Sequence, residues 1–387
     1  MQWVHLSPHF PPNFYHFAQR FSRRGGKVLG ITDQNQNQLL PELREALHDH
    51  EQVSSLHNKT EVLEAVGRLI HRNGKIDIVE SHLEPWLPLE AEIRQNFGIP
   101  GALLAEVEGI QQKSRMKEIF RKSGALVVEG EVLYNLEQGL DFVGKYGLPV
   151  IIKPNTGIGA QDTHKIESLQ DLQNFFKNQQ QTSYFIEVFV DGDIITFDGL
   201  CNKNREPIFF TSHQYSNDPR TIGEEQLDFY YFNYREIPED LERVGKSILK
   251  QIPSANKFFH LEFFRTPQGS LVALEINMRP PGGLTTDMFN YAADQDVYDI
   301  WARVVLEGLN SFPYERKYHS AHICRRQKNA NKYIHSHQEC LKKLGTQLVH
   351  YRELNPLYAT LMGEHAYLVR ANTLEEIYQM AAYLHAQ

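Results

Sequence analysis

Residues 258–283, FFHLEFFRTPQGSLVALEINMRPPGG, hold two strand-like runs around a turn, and this hairpin constrains the fold more than any other segment. The turn is predicted at residues 266–269, where proline and glycine occupy positions that a type I turn favours. Pairing the strands outward from this turn gives a register with one apolar face. On that face Phe263 opposes Val272, Leu261 opposes Leu274, and Phe259 opposes Ile276.

The other face of the hairpin carries the polar residues. In this register His260 opposes Glu275, and Glu262 opposes Ala273. Glu262 is then a diagonal neighbour of Glu275, a reach of roughly 7–8 Å between backbones. Asn277 continues the same face and adds a neutral oxygen. Because these donors are all hard oxygens, they favour magnesium over zinc.

Arg279 follows on the same face and places a guanidinium beside the carboxylates. An alternative interpretation is a solvated hairpin face with ordinary charges. Residues 280–283, PPGG, bend the chain immediately around this edge, and this favours a binding site.

Magnesium held by few carboxylates usually also binds substrate phosphates, and two lysines could bind these. Lys153 ends an apolar strand and leads into the segment 154–160. Gly157 and Gly159 in that segment let backbone N–H groups approach phosphate oxygens closely. Lys113 lies at the head of a helix forty residues earlier, and alone it would be read as a solvated lysine.

Glu187 interrupts an otherwise apolar strand, residues 184–190. A buried carboxylate needs a partner. A lysine and the edge of an adenine would supply one.

The long segment 211–234 is polar and aromatic and lies between two strand patterns. Long loops inside compact domains tend to be functional. We expect its His213, Tyr215 and Arg220 to contact a small amino or hydroxy acid that carries an apolar group, with Arg220 holding the carboxylate. The alternative is a surface flap with incidental charges.

Composition excludes several classes of protein. The 387 residues carry a net charge of −8, which is the wrong sign for a nucleic-acid-binding protein. No apolar run approaches the roughly 18 residues of a membrane span, and the first residues do not resemble a signal peptide. We therefore expect a cytoplasmic protein with neither nucleic acid nor a membrane as partner. The three cysteines, Cys201, Cys324 and Cys340, are predicted to be reduced.

The order of these features resembles the ATP-grasp superfamily. Lys113 comes first, and Lys153 with its glycine-containing loop comes second. The strand that carries Glu187 follows, with Asp-Gly-Asp at 191–193, and the series ends with Glu262 and the ExNxR pattern at 275–279. The likeness is to the carboxylate–amine ligase branch, which includes enzymes similar to biotin carboxylase and to L-amino-acid ligases. It spans residues 1 to about 310.

The resemblance implies a mixed fold, α/β and α+β, in four parts. Strand and helix alternate up to about residue 105, as expected for an open parallel sheet. The expected parts are an N-terminal pre-ATP-grasp α/β domain at 1–105, a lid subdomain with the glycine-rich loop at 106–187, a catalytic subdomain with the magnesium hairpin at 188–310, and a small α/β appendage at 311–387.

The resemblance also implies roles for individual residues. Gln112 departs from the family, which commonly has aspartate before its first lysine. The implied roles are Lys113, Lys153, Gly157 and Gly159 on ATP phosphates, Glu187, Phe189 and Val190 on adenine, Asp193 on the ribose, Glu262, Glu275 and Asn277 on Mg²⁺ or its substitute Mn²⁺, and Arg279 with Lys153 on the transferred phosphoryl group.

The implied reaction joins a carboxylate to an amine through an acyl phosphate and releases ADP and phosphate. ATP and the two small substrates would be its partners, and the family also allows a homodimer. Two alternatives stay open at this point. One is a regulatory or scaffolding module that binds nucleotide without turnover, and the other is a carboxylase or a thioester-forming enzyme.

Overall fold

A four-stranded parallel sheet forms the N-terminal part of the chain, with helices on both faces. Because both faces are covered, its central strands are almost wholly buried. The predicted open parallel sheet is therefore confirmed. Its strands, in the order β3-β2-β1-β4, are β1 (Gln2–Leu6), β2 (Lys27–Thr32), β3 (Leu47–Gln52) and β4 (Ile78–Glu80), and its helices are α1 (Tyr15–Arg23), α2 (Pro41–Ala46), α3 (Lys59–Asn73) and α4 (Leu87–Phe97).

This computed structural model describes residues 1–157, 162–178, 183–217, 221–222, 225–354, 359 and 362–387. Two helices, α5 (Leu104–Gln111) and α6 (Lys113–Ser123), lead out of the parallel sheet. Gly124 ends α6 with a φ of 77°, a conformation that glycine adopts without strain.

A second sheet of four antiparallel strands follows, in the order β5-β8-β6-β7. Helices α7 and α8 cover one face, and their apolar residues share a buried cluster with those of the strands. We call this part the lid. Its elements are β5 (Gly130–Leu133), α7 (Leu136–Tyr146), β6 (Val150–Pro154), β7 (His164–Ile166), α8 (Leu169–Asn178) and β8 (Tyr184–Val188).

The third sheet has nine strands and forms the largest layer of the described chain. Its path is β14-β13-β9-β11-β12-β15-β17-β16, with β10 paired to β9. The strands are β9 (Asp193–Cys201), β10 (Pro207–Thr211), β11 (His213–Tyr215), β12 (Tyr230–Asn233), β13 (Phe258–Arg265), β14 (Leu271–Asn277), β15 (His319–Arg325), β16 (Leu348–Glu353) and β17 (His365–Ala371). The helices of this part are α9 (Glu239–Leu249), α10 (Thr285–Ala293), α11 (Val297–Glu307), α12 (His337–Leu344) and α13 (Leu374–His385).

Residues 311–387 do not build a sheet of their own. Their strands β15, β17 and β16 extend the nine-stranded sheet through the pairing of β15 with β12. The domain boundaries predicted from the sequence remain predictions.

The hairpin of β13 and β14 forms, but its predicted register is wrong. Leu261 opposes Ile276, Phe263 opposes Ala273, and the register shifts by one residue between these pairs. A β-bulge inserts an unpaired residue in this way, and here the extra residue on β14 is Leu274. The predicted pairing is already out by one residue next to the turn, where Val272 opposes Phe264 and not Phe263, and the bulge adds a second residue. Leu274 therefore lines a cleft instead of opposing Leu261, while Ala273 joins the buried core.

The bulge also changes how the polar face is aligned. Glu262 opposes Glu275 directly, where a diagonal contact was predicted, and His260 opposes Asn277. The cysteines Cys201, Cys324 and Cys340 are buried and unbridged. Within the described residues, no helix is both long enough and apolar enough to cross a membrane.

Candidate active site

A cavity of about 320 Å³ lies between the lid and the hairpin of β13 and β14. The sequence analysis had selected eight of its lining residues, which are Lys113, Lys153, Glu187, Phe189, Val190, Tyr215, Glu262 and Glu275. The fold thus brings together residues that are up to 162 positions apart in the chain.

On the lid side of the cavity, Glu187 is held between two lysines. The Lys153 Nζ lies 2.6 Å from its Oε1, and the Lys117 Nζ lies 2.8 Å from its Oε2. Burial alone would raise the pKa of Glu187, but the two ammonium groups outweigh it and lower that pKa to about 2. The lysine partner expected for Glu187 is therefore present.

Lys117 is a residue that the sequence analysis missed. It lies one helical turn after Lys113 on α6, so both ammonium groups project from the same face of the helix. It also donates a hydrogen bond to the carbonyl of Val128 at 2.9 Å. The i,i+4 spacing was the available signal.

An aromatic ring borders the same side of the cavity. Phe189 follows β8, and the Lys165 Nζ lies 4.6 Å from the centre of its ring. With Val190 and Ile151 it forms an apolar wall. Such a wall suits the flat face of a heterocyclic base.

On the hairpin side, two carboxylates face each other across neighbouring strands. Glu275 forms an ion pair with Lys113, the head residue of α6. Burial would lower the pKa of Lys113, but Glu275 and the nearby Glu262 raise it. Lys113 thus partly neutralises the carboxylate pair.

Arg279 lies just beyond the end of β14. Its Nη1 donates a hydrogen bond to the carbonyl of Pro280 at 2.9 Å, and its Nε lies 3.5 Å from Oε2 of Glu84. Glu84 comes from the N-terminal part of the chain, and Gln111 donates a hydrogen bond to it at 2.9 Å. Burial raises the pKa of Glu84. The sequence offered no signal for this contact.

His213 was predicted to contact substrate, and this remains a prediction. The side chain is buried in the nine-stranded sheet, where its Nδ1 lies 2.7 Å from Asp198. It is not among the residues that line the cavity, whereas Tyr215, two residues later on β11, is.

Four further predicted residues, Asp193, Gly157, Asn277 and Arg279, are described but do not line the cavity, and two more lie outside the described chain. Asp193 begins β9 and is solvent-exposed, while Asp191 and Gly192 line the cavity. Gly157 is described and follows Thr156, which bridges to Gln112 at the start of α6. Gly159 and Arg220 lie outside the described residues.

The donor set fits a magnesium ion. Glu262, Glu275 and Asn277 offer only oxygen ligands from one face of the hairpin. Within the described part of the chain, no three His, Cys, Asp or Glu side chains converge on a single point. A cation here would therefore take its remaining ligands from water and phosphate, as magnesium commonly does.

Comparison with solved structures identifies the fold. An L-amino acid ligase from Bacillus licheniformis superposes with a TM-score of 0.75 at 14% identity, covering 99% of this chain and 96% of that one. The ADP complex of N5-carboxyaminoimidazole synthetase from Staphylococcus aureus gives 0.74 at 16% identity, covering 99% and 96%. The chain has the ATP-grasp fold.

A third solved structure with this fold is the biotin carboxylase domain of 2-oxoglutarate carboxylase from Hydrogenobacter thermophilus, in complex with MgADP, ADP and bicarbonate. It superposes with a TM-score of 0.73 at 15% identity and covers 99% of this chain and 89% of that one. No family model matches the chain.

Curated relatives match in sequence over about half of the chain. The carbamoyl phosphate synthase large chain of Thermoanaerobacter pseudethanolicus is 22% identical over 206 residues, which are 49% of this chain and 18% of that protein. The L-arginine-specific L-amino acid ligase of Bacillus subtilis is 24% identical over 220 residues, 54% of this chain and 53% of that one. The aligned segment therefore spans only part of these relatives.

Proposed function

We propose that this protein is an ATP-dependent ligase that joins a carboxylate to an amine through an acyl phosphate. One observation carries the proposal. In a single cavity, the opposed carboxylates of Glu262 and Glu275 on the hairpin face the phosphate-binding candidates Lys113 and Lys153. A cavity with oxygen ligands on one wall and ammonium groups beside them suits a magnesium nucleotide.

The reaction begins with phosphoryl transfer. An oxygen of the substrate carboxylate attacks the γ-phosphorus of ATP, the bond from that phosphorus to the β–γ bridging oxygen breaks, and ADP leaves. Lys153 and Lys113 bind the phosphate oxygens, and Arg279 orients the phosphoryl group. Magnesium, when held by Glu262, Glu275 and Asn277, neutralises charge on the phosphates.

Amide formation follows. The amine nitrogen attacks the acyl carbon, the carbon–oxygen bond to the phosphate breaks, inorganic phosphate leaves, and the nitrogen loses a proton to solvent. The lid closes over the cavity and excludes water that would otherwise hydrolyse the acyl phosphate.

For the nucleotide, we assign Glu187, Phe189 and Val190 to the base and Asp191 to the ribose. Asp191 replaces the predicted Asp193, because Asp191 lines the cavity and Asp193 does not. An aspartate carboxylate accepts hydrogen bonds from the two ribose hydroxyls.

For the acid, we propose a small amino or hydroxy acid with an apolar group. Tyr215 lines the cavity and stacks on Tyr231, with 5.2 Å between ring centres. The ring of Tyr215 offers an apolar surface to the cavity, and the buried Tyr231 supports it from behind. The solved L-amino acid ligase that shares this fold supports an amino acid substrate. The predicted homodimer rests on the resemblance alone.

The test is a screen for ADP release over pairs of amino acids and amines, with ATP and MgCl₂. The productive acid is then labelled with ¹⁸O in its carboxylate. One labelled oxygen should appear in the released phosphate, because the attacking oxygen stays with phosphorus when the amide forms. Release of AMP and pyrophosphate would overturn the mechanism, and nucleotide binding without turnover would indicate a binding module.

A Glu275→Gln variant tests the hairpin site. The change removes one negative charge without changing side-chain volume, so turnover should fall at least tenfold, about 1.4 kcal/mol of barrier or more, while the circular dichroism spectrum is retained. Glu118→Gln, at an exposed position on α6, is the matched control and should leave the rate unchanged. A Glu275→Gln enzyme that keeps more than about a tenth of the wild-type rate would refute the metal assignment.

A further inference from the structure

Behind Glu262, three buried side chains continue a line of polar contacts into the sheet. The His260 Nε2 lies 2.8 Å from Oε1 of Glu262, and the His260 Nδ1 lies 2.5 Å from Oδ1 of Asp198. The other oxygen of Asp198 lies 2.7 Å from Nδ1 of His213. Asp198, His213 and His260 are 0%, 2% and 5% exposed.

Strand pairing makes this line a feature of the sheet. His260 and Glu262 lie two residues apart on β13 and therefore on the same face. On β9, Asp198 opposes His260 and Thr196 opposes Glu262. The Thr196 hydroxyl donates a hydrogen bond to Asp198 and accepts one from the backbone N–H of His213.

Both nitrogens of the His260 ring contact a carboxylate oxygen. The two contacts together fix the orientation of the ring between Asp198 and Glu262.

Each carboxylate of the hairpin pair has its own side-chain partner. Lys113 is paired with Glu275, lines the cavity and can move towards a phosphate. His260 is paired with Glu262, is absent from the cavity wall and is fixed from behind by Asp198. Two facing carboxylates repel each other unless cations offset them.

We propose that His260 and Asp198 are positioning residues of the metal site: they fix Glu262 so that its second carboxylate oxygen, Oε2, is presented for a divalent cation. The inference rests on the proposed function for the hairpin carboxylates. Groups that orient a metal ligand in this way typically contribute 10–100-fold to metal affinity.

The test measures Mn²⁺ binding in the presence of ADP. The electron paramagnetic resonance signal of free Mn²⁺ reports the binding, and no turnover is required. His260→Asn should weaken Mn²⁺ binding about 10–100-fold and leave ADP affinity without metal unchanged. His260→Gln should lie closer to wild type, because its longer amide reaches Glu262. Combined with Glu262→Gln, His260→Asn should cause no additional loss.

His322→Asn is the matched control, since His322 is a fully buried histidine on β15 of the same sheet. It should leave Mn²⁺ affinity unchanged even where it lowers the melting temperature. If His260→Asn behaves like this control, the proposal is wrong. Should His260→Asn not fold, the isosteric Asp198→Asn takes its place, and unchanged Mn²⁺ affinity in that variant equally overturns the proposal.

The same experiment separates this inference from the proposed function. Wild-type protein that binds Mn²⁺ with ADP, is weakened by His260→Asn, and yet releases no ADP with any substrate pair would refute the ligase activity and support the positioning role. Equal Mn²⁺ binding by wild type and Glu262→Gln would overturn the hairpin metal site and the positioning role with it.

Discussion

The ammonium group of Lys153 has one partner in this structure and would have another with nucleotide bound. In this structure its ammonium group is paired with Glu187 at 2.6 Å, and the same group lines the cavity. Under the proposed function, the lysine would contact a phosphate oxygen of ATP. Lys117 remains as a second cation for Glu187 at 2.8 Å.

Lys153→Ala should therefore weaken ATP binding. A hydrogen bond to a charged group contributes about 1.5–3 kcal/mol, which corresponds to a loss of roughly 10–100-fold. Calorimetric titration with a non-hydrolysable ATP analogue measures it. Lys145→Ala, at an exposed position on α7, is the matched control. Unchanged affinity in Lys153→Ala would show that the lysine serves only to neutralise Glu187.

The ionised carboxylate of Glu187 makes the free energy of unfolding fall at low pH. Its pKa is about 2 in the folded protein, below the ordinary value of 4.5. The carboxylate thus contributes stability above pH 4.5, about 3 kcal/mol at most, and this is lost as the pH falls towards 2.

Unfolding by urea at several pH values tests this. The wild-type advantage over Glu187→Gln should shrink by about 1 kcal/mol between pH 4.5 and 3.5. An advantage that stayed constant over this interval would contradict the ionised triad with Lys153 and Lys117.

At the scale of elements, the hairpin shows what a sequence can and cannot predict. Alternation predicted both strands, and it predicted that Glu262, Glu275 and Asn277 share a face. It could not reveal the bulge, because the extra residue, Leu274, extends the apolar run 271–273 and gives no sign that one residue of it is unpaired. The bulge nevertheless decides that Glu262 and Glu275 oppose each other.

The start of α6 is another junction between elements. Gln112 is the N-cap residue of this helix, but its side chain makes no capping hydrogen bond. Instead Asn155, from the loop after β6, serves as the cap. Its backbone carbonyl accepts a hydrogen bond from the N–H of Lys113 at 2.8 Å, and its side-chain Oδ1 accepts one from the N–H of Ser114 at 3.2 Å. One asparagine thus links the strand that carries Lys153 to the helix that carries Lys113.

Asn155→Ala should lower stability by about 1 kcal/mol, the usual effect of losing a cap, and should also weaken ATP binding. Asn135→Ala is a matched control. Asn135 caps α7 with a hydrogen bond of 2.9 Å from Gln138, away from the cavity. Asn135→Ala should lower the free energy of unfolding by a similar amount and leave ATP affinity unchanged. Equal ATP affinity in both variants would show that the junction does not position the lysines.

For the whole molecule, the pairing of distant strands escaped prediction. The alternation of strands and helices identified the N-terminal parallel sheet, because β1, β2 and β3 are neighbours in sequence order and β4 alone returns to pair with β1. The sequence did not show that β15 pairs with β12 and so joins residues 311–387 to the nine-stranded sheet. Nor did it show that Glu84 reaches Arg279, since that contact joins parts of the chain that fold against each other.

A buried charge cluster joins the N-terminal part to the nine-stranded sheet. Lys257, just before β13, lies 2.9 Å from Glu80 on β4 and 3.3 Å from Glu90 on α4. Arg94 lies 2.8 Å from Glu90. These elements flank Glu84, the residue that contacts Arg279. The cluster therefore fixes the N-terminal part beside the candidate active site.

Lys257→Ala should destabilise the protein. The change leaves two buried carboxylates, Glu80 and Glu90, with Arg94 as their remaining cation. Breaking a buried pair by deleting one partner costs about 3–5 kcal/mol, which chemical denaturation measures. Lys250→Ala, an exposed lysine at the end of α9, should change stability by less than about 0.5 kcal/mol. Lys257→Met distinguishes charge from packing, since methionine keeps the aliphatic stem. Stability near wild type in Lys257→Met would show that the stem, and not the charge, holds the two parts together.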